Sequence, residues 1–283
     1  MTQATGERTL DLDGATLRYV IDGVAERGGE DLPIAFAHGW CSKLEHWAPQ
    51  AEHLGHGRAV VRWDRRGMGR SSAVVPAGSP SRHAEDLAAI LEREGLDRVV
   101  VAGHAGGGPT AVAFAATHPE RTAGLVMVDT RVHRPSPAGQ PDRFAEGIDR
   151  SSQRLSGADG AAYFDRLYRS FFGPRAARAL VEDAVTNALG TPLDIAAAEM
   201  RHMAGDVAGL AERVTCPVLW VSAQPSDTAS VLADFPAATR PPLVGHVVGS
   251  GHFVQLEVPE QLNPMIEVFL DTLDHLHDGE TSA

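Results

Sequence analysis

The chain has 283 residues, 43% of them hydrophobic, with a formal net charge of -12 at pH 7. That length buries a substantial core and suits one large domain carrying a subdomain insertion. The acidic balance argues against a nucleic-acid partner, because phosphate binding needs a concentrated basic surface.

Arg8 to Asp22 alternates apolar and polar residues about Asp13-Gly14, the pattern of an opening β-hairpin. Leu32 to Ala37 predicts a buried strand ending in His38-Gly39-Trp40-Cys41, and Leu44 to Leu54 predicts a helix over it. Ala59 to Trp63 is the next strand, running into Asp64-Arg65-Arg66-Gly67-Met68-Gly69-Arg70-Ser71. The arginines there, with Arg62, are interleaved with glycines and an aspartate and read as a loop. Arg82 to Glu94 has helical periodicity, and Arg98 to Ala102 is a strand entering Gly103-His104-Ala105-Gly106-Gly107-Gly108. A helix-compatible run, Pro109 to Thr117, follows, then a buried strand, Gly124 to Val128, that stops at Asp129-Thr130.

From Arg131 to about Arg213 the pattern changes to a loop rich in proline and glycine, then helix-like segments without a convincing strand. Strand patterns resume at Pro217 to Ala223 and near His246 to Val248; Gly249-Ser250-Gly251-His252 and a helix from Pro259 to about Leu276 close the chain. Strands alternating with helices imply a mostly parallel sheet covered on both faces. The expected division is a core of 1–130 and 214–283, with 131–213 as a helical lid over the strand ends, where such sheets place ligands. The polar Met1 to Asp11 stretch carries no signal-peptide pattern and no apolar run approaches a membrane span. Cys41 and Cys216 stand far apart in sequence. A reduced, cytoplasmic protein is therefore expected.

Strand, Gly-flanked turn and helix around Ala105 form the context of a nucleophile elbow, G-x-S-x-G, in which a serine sits on a strained turn. Here the central residue is Ala105, whose methyl group cannot attack. His38-Gly39, the loop Asp64, Gly67, Gly69 and Ser71, the elbow, and Gly251-His252-Phe253 together resemble the α/β-hydrolase fold family over nearly the whole chain. The resemblance implies a mostly parallel eight-stranded sheet with helices on both faces. It puts Ala105 at the nucleophile position and His252 at the base position. The oxyanion hole falls to the backbone N–H groups of Trp40 and Gly106, and such donors contribute about 3 kcal/mol each to a transition state. His38 would shape the oxyanion loop, and His104 would pack or hydrogen-bond.

Members of this family place the acid after the seventh or the sixth strand. In the run Val221-Ser222-Ala223-Gln224-Pro225, Gln224 stands where a seventh-strand acid belongs, and an amide stabilises an imidazolium poorly. Asp129, at the end of the sixth strand, is the favoured acid, with Asp227 as the alternative.

An alanine at the elbow admits three readings. The leading one is a carboxylic ester or lactone hydrolase whose serine position holds alanine, an inactive or impaired, substrate-trapping form. Losing such a nucleophile costs about 10⁶-fold in a serine protease. The second is a cofactor-independent dioxygenase in which a His252–Asp129 dyad deprotonates an aromatic hydroxyl. The third is a non-catalytic small-ligand binder. The insertion is rich in apolar and aromatic residues, which implies a largely apolar cavity for a medium-sized substrate. Tyr168, Phe172, Met200 and Met203, with His38 and Phe253, are its expected walls. No metal is expected, since His46, His53 and His56 lack clustered Cys or carboxylate partners at ligand spacing. Neither a phosphate loop nor a dinucleotide fingerprint occurs, so no cofactor is expected. The expected partner is a small-molecule substrate, without nucleic acid or membrane, and a homodimer is left open.

Overall fold

The computed structural model describes residues 6–23, 31–72, 78–205, 207–223 and 228–281. Strands β1 (Arg8–Leu12) and β2 (Ala15–Asp22) pair antiparallel about Asp13 and Gly14. Both turn residues are left-handed, at φ 46° and 78°, as a two-residue hairpin requires. β2 then pairs antiparallel with β4 (Val60–Trp63). Every later pairing is parallel and joins β3 (Ile34–Ala37), β5 (Val99–His104), β6 (Thr122–Val128), β7 (Val218–Ser222) and β8 (Leu243–His246). The order across the eight strands is β1-β2-β4-β3-β5-β6-β7-β8. The middle strands are short, continuous apolar runs because helices cover both faces.

On one face, α2 (Pro80–Glu94) and α3 (Gly107–Thr117) bury Leu87, Leu91, Val112 and Phe114 against Val61, Val101 and Met127. α2 is well delimited: the Ser79 hydroxyl accepts from Arg82 N–H, Pro80 opens the first turn, and Gly95 ends it at φ 67°. On the other face, α1 (Ala48–Leu54) and the closing helix (Pro259–Thr281) enclose Phe36, Trp47, Val126 and Phe269. Between β6 and β7 the chain runs through α4 (Arg143–Leu155), α5 (Gly160–Arg169), α6 (Arg178–Leu189), α7 (Leu193–His202) and α8 (Ala208–Ala211). A third core joins this insertion to the sheet loops through Trp40, Cys41, Phe164, Tyr168, Met200 and Phe253.

Most element boundaries differ from the expectation by a few residues, and two of the differences have a local cause. The segment from Leu44 starts as a tight 3₁₀ turn to Trp47, and α-helix begins only at Ala48; Pro49 fits just a first helical turn. β8 lies at Leu243–His246, earlier than His246 to Val248. Val248 leaves the ladder because its N–H and C=O both bond the Gln261 side chain, each at 2.9 Å. Among the described residues no helix is long and apolar enough to cross a membrane.

Candidate active site

β5 ends at His104, and the chain reverses at Ala105, whose φ is 49°. A left-handed non-glycine residue costs roughly 1–2 kcal/mol, so the surroundings must impose it. A Cβ on Gly103 would lie 2.4 Å from Gly107 O, and one on Gly107 would lie 2.2 Å from Ala37 O. Glycine at both positions lets β5, α3 and the β3 loop close on the turn. Ala105 is then pinned by its N–H to Val128 O (3.2 Å) and by its carbonyl, which accepts from Gly108 N–H (2.9 Å) and the Thr130 hydroxyl (2.8 Å). The elbow keeps its strained shape with alanine in it.

Asp129 follows β6 and is also left-handed, at φ 43°. Its Oδ2 accepts a hydrogen bond from His252 Nδ1 at 2.6 Å. Its Oδ1 accepts from Ala223 N–H (3.0 Å) and from the Ser222 hydroxyl (3.2 Å). Burial pushes the Asp129 carboxyl up, yet the bond and charge of His252 and the Ala223 amide outweigh it, leaving it below its ordinary value. Gln224 and the alternative acid Asp227 lie outside the described residues.

The His252 backbone is fixed from two sides. Its N–H donates to Phe171 O at 2.7 Å, and its carbonyl accepts from His104 Nε2 at 2.7 Å. Burial, with His252 nearby, pushes His104 down to about 3. The neutral ring therefore donates through Nε2 and accepts at Nδ1 from the Gln255 amide (3.2 Å). Since Asp129 takes Nδ1 of His252, Nε2 is the nitrogen left to act as base. Gly251 is obligatory here, because a Cβ would fall 2.2 Å from Gly173 N.

Trp40 N and Gly106 approach across the site: a Cβ built on Gly106 would stand 3.3 Å from Trp40 N. His38 is fully buried below this loop, with Nδ1 on Gly39 O (2.9 Å) and Nε2 accepting from Arg65 N–H (2.9 Å). Burial and the Arg65 charge push its pKa well below the ordinary value, so it is a neutral brace.

A cavity of about 500 Å³ opens beside Ala105, Gly106, Asp129 and His252. Its remaining wall includes Pro109, Val132, Phe144, Met203 and Trp220, with Arg131, His133 and Arg134. Of the expected wall residues, Met203 lines it and Phe172 lines a neighbouring opening that also reaches His252 and Asp129. Phe253, Tyr168 and Met200 lie instead in the third core, 2%, 0% and 3% exposed, and His38 in the brace just described. The Tyr168 hydroxyl is spent on Cys41 O at 3.2 Å. Helical spacing marked these side chains as apolar but did not distinguish the face toward the core from the face toward the cavity. Local sequence does not mark Trp220 as a wall residue, whereas Arg131 stands two residues after the strand-end Asp129, a position that places it at the mouth of the cavity.

A family model described as alpha/beta hydrolase fold matches residues 33–259. A protein of Caulobacter segnis assigned as carbamate hydrolase RutD is 36% identical over 116 residues, covering 35% of this chain and 43% of its own. A non-heme chloroperoxidase of Streptomyces lividans is 38% identical over 101 residues, covering 35% of this chain and 37% of its own. The matches thus span about four-tenths of these curated relatives. Among solved structures, a thermophilic esterase from Thermogutta terrifontis superposes with a TM-score of 0.78 at 24% identity, covering 96% of this chain and 100% of its own. The enol-lactonase from Burkholderia xenovorans LB400 gives 0.77 at 21% identity, with 93% and 100% covered. At that identity the likeness is one of fold.

Proposed function

The chain belongs to the alpha/beta hydrolase fold family, and on that premise we propose that it binds a medium-sized, apolar or aromatic ester or lactone at the Ala105 elbow. The observation that carries the reading is the His252–Asp129 hydrogen bond of 2.6 Å on the wall of a cavity that also contains Ala105 and Gly106. A base, an orienting carboxylate and converging amides are what acyl transfer needs. The nucleophile alone is missing. α4 to α8 then act as the lid.

With alanine at the elbow no acyl-enzyme forms. The route left is direct attack of water on the carbonyl carbon. His252 Nε2 takes the water proton, and the Trp40 and Gly106 N–H groups hold the oxyanion. The alkoxide leaves and recovers that proton from His252. The chain therefore holds substrate with little turnover, and Ala105→Ser supplies the covalent route. The test is acid release from aryl esters and lactones by both forms; equal, measurable rates with and without the serine contradict the reading.

A second reading draws on the completeness of the dyad without a nucleophile. His252 removes the proton of an aromatic hydroxyl, and the anion reacts with molecular oxygen supplied as co-substrate. Oxygen uptake by the unaltered chain, abolished by His252→Ala, identifies that case.

A further inference from the structure

Behind the amides of Trp40 and Gly106 lies a buried ion cluster that the proposed reaction does not use. Arg65, 2% exposed, follows β4. Its Nε donates to His38 O and one Nη to Gly39 O, each at 3.0 Å, and the other Nη bonds Glu199 Oε2 at 3.2 Å. Glu199 lies on α7 of the insertion, 4% exposed, and its second oxygen meets His83 Nε2 of α2 at 2.9 Å. The Trp40 indole N–H donates to Ala196 O on the same helix at 2.8 Å. Residues 196 and 199 share a helix face, so α7 grips the oxyanion loop at two adjacent points.

The Arg65–Gly39 bond has a directional consequence. Gly39 C=O and Trp40 N–H belong to one planar trans peptide and point in opposite directions. A guanidinium fixed on the carbonyl therefore aims the N–H away from Arg65. The same group stands 3.6 Å from where a Gly106 Cβ would lie, while Trp40 N stands at 3.3 Å. A gap of about 10 Å³ adjoins this cluster, lined by Trp40, Arg65, His83, Gly106 and Glu199 among others. The charge, buried with the Arg65 side chain, sits at the negative end of the Trp40 peptide dipole, where hydrogen-bonded groups polarise one another.

We propose that Arg65 is a positioning residue of the oxyanion site: held by Glu199 of the insertion, it aims the Trp40 N–H and lends the site a preference for anionic over neutral ligand atoms. Seating of α7 and readiness of the oxyanion site are then one event. The inference rests on the reading of Trp40 and Gly106 as the anion-binding amides.

The test measures binding of two probes by calorimetry: an aryl methylphosphonate monoester, an anion shaped like the tetrahedral intermediate, and the matching uncharged aryl ester. Removing one charge strands its buried partner, so the main variant is the double Arg65→Met/Glu199→Met, with Arg65→Lys beside it. The expected result is a phosphonate affinity lower by about tenfold or more in the double variant, in line with the loss of charge-assisted bonding. Ester affinity should stay within about twofold. Arg65→Lys keeps the charge without the fork and should fall between. Parallel loss of both probes means a purely structural strut and overturns the proposal, as does no loss of either. If the unaltered chain binds the ester but never prefers the phosphonate, the anion preference is refuted while the pocket stands. If it binds neither, the underlying site reading falls and takes the proposal with it.

Discussion

Replacing Asp129 by asparagine removes the charge and keeps the shape. Oδ1 accepts from Ala223 N–H at 3.0 Å, so the asparagine oxygen is held on that side. Its NH₂ then faces His252 Nδ1 at the place where the carboxylate oxygen lies 2.6 Å away. Two donors cannot bond, so the imidazole must shift its proton to Nε2. The nitrogen facing the cavity becomes a donor and ceases to be a base. The equivalent carboxylate-to-amide change in a serine protease, acting by the same tautomer error, lowers kcat about 10⁴-fold, and each decade is about 1.4 kcal/mol of barrier. The expected loss is on the order of 10³- to 10⁴-fold in kcat, about 4 to 5.5 kcal/mol, with KM nearly unchanged. The assay is aryl ester hydrolysis by Ala105→Ser with and without Asp129→Asn, alongside thermal melts to establish folding. A loss smaller than tenfold in a folded variant would show that Asp129 does not orient the base.

Three further outcomes follow from the same geometry. His38, His46 and His104 are buried, and burial holds all three below 6.5, His46 at about 4 and His104 at about 3. The unfolded chain binds protons that the folded chain refuses, so stability rises with pH across roughly 4 to 6.5. Lowering pH from 7 to 5 should remove about 2 kcal/mol each through His46 and His104, about 4 together, with His38 adding in the same direction, in urea titrations; a flat profile refutes this. Asp129 has the opposite sign: its lowered carboxyl adds stability above the ordinary carboxylate range, lost only as pH falls through its folded value. The histidine window therefore precedes it on acidification. Gly107→Ala drives a Cβ to 2.2 Å from Ala37 O, whereas Gly95→Ala meets nothing within 4 Å. The first should cost about 3 kcal/mol or more and the second only the strain of a left-handed residue, about 1–2 kcal/mol. Equal melting temperatures for the two would contradict the tight-elbow argument.

What was legible in the sequence is what local chain chemistry dictates. The spacing of Gly103 and Gly107 about Ala105 marks a turn where backbones touch, and Asp129 and His252 stand at strand-end turns whose position follows from apolar runs. Gln224 at the seventh-strand position directed attention to Asp129, and the structure brings that carboxylate to His252. What stayed hidden depends on contacts distant in sequence. Nothing near Arg65 announces Glu199, 134 positions later. The Phe171–His252 bond is likewise visible only once the insertion is seated, and the Gln255–His104 bond only once the chain after His252 packs on the end of β5. Tyr168, Met200 and Phe253 carry the composition of a pocket wall, yet the packing of α5 and α7 on Trp40 turns them into core. The shift of β8 follows from one side chain, Gln261, capturing Val248 from the ladder.

The measurement that bears most directly on the central claim is the hydrolysis of aryl esters and lactones by the unaltered chain and by Ala105→Ser. Placing a hydroxyl on a turn already strained to φ 49°, beside the hydrogen-bonded His252–Asp129 pair, should raise kcat on the order of 10⁴- to 10⁶-fold. His252→Ala should then abolish the gain. If the serine form stays as inactive as the alanine form on every ester and lactone offered, the site is not that of an acyl hydrolase.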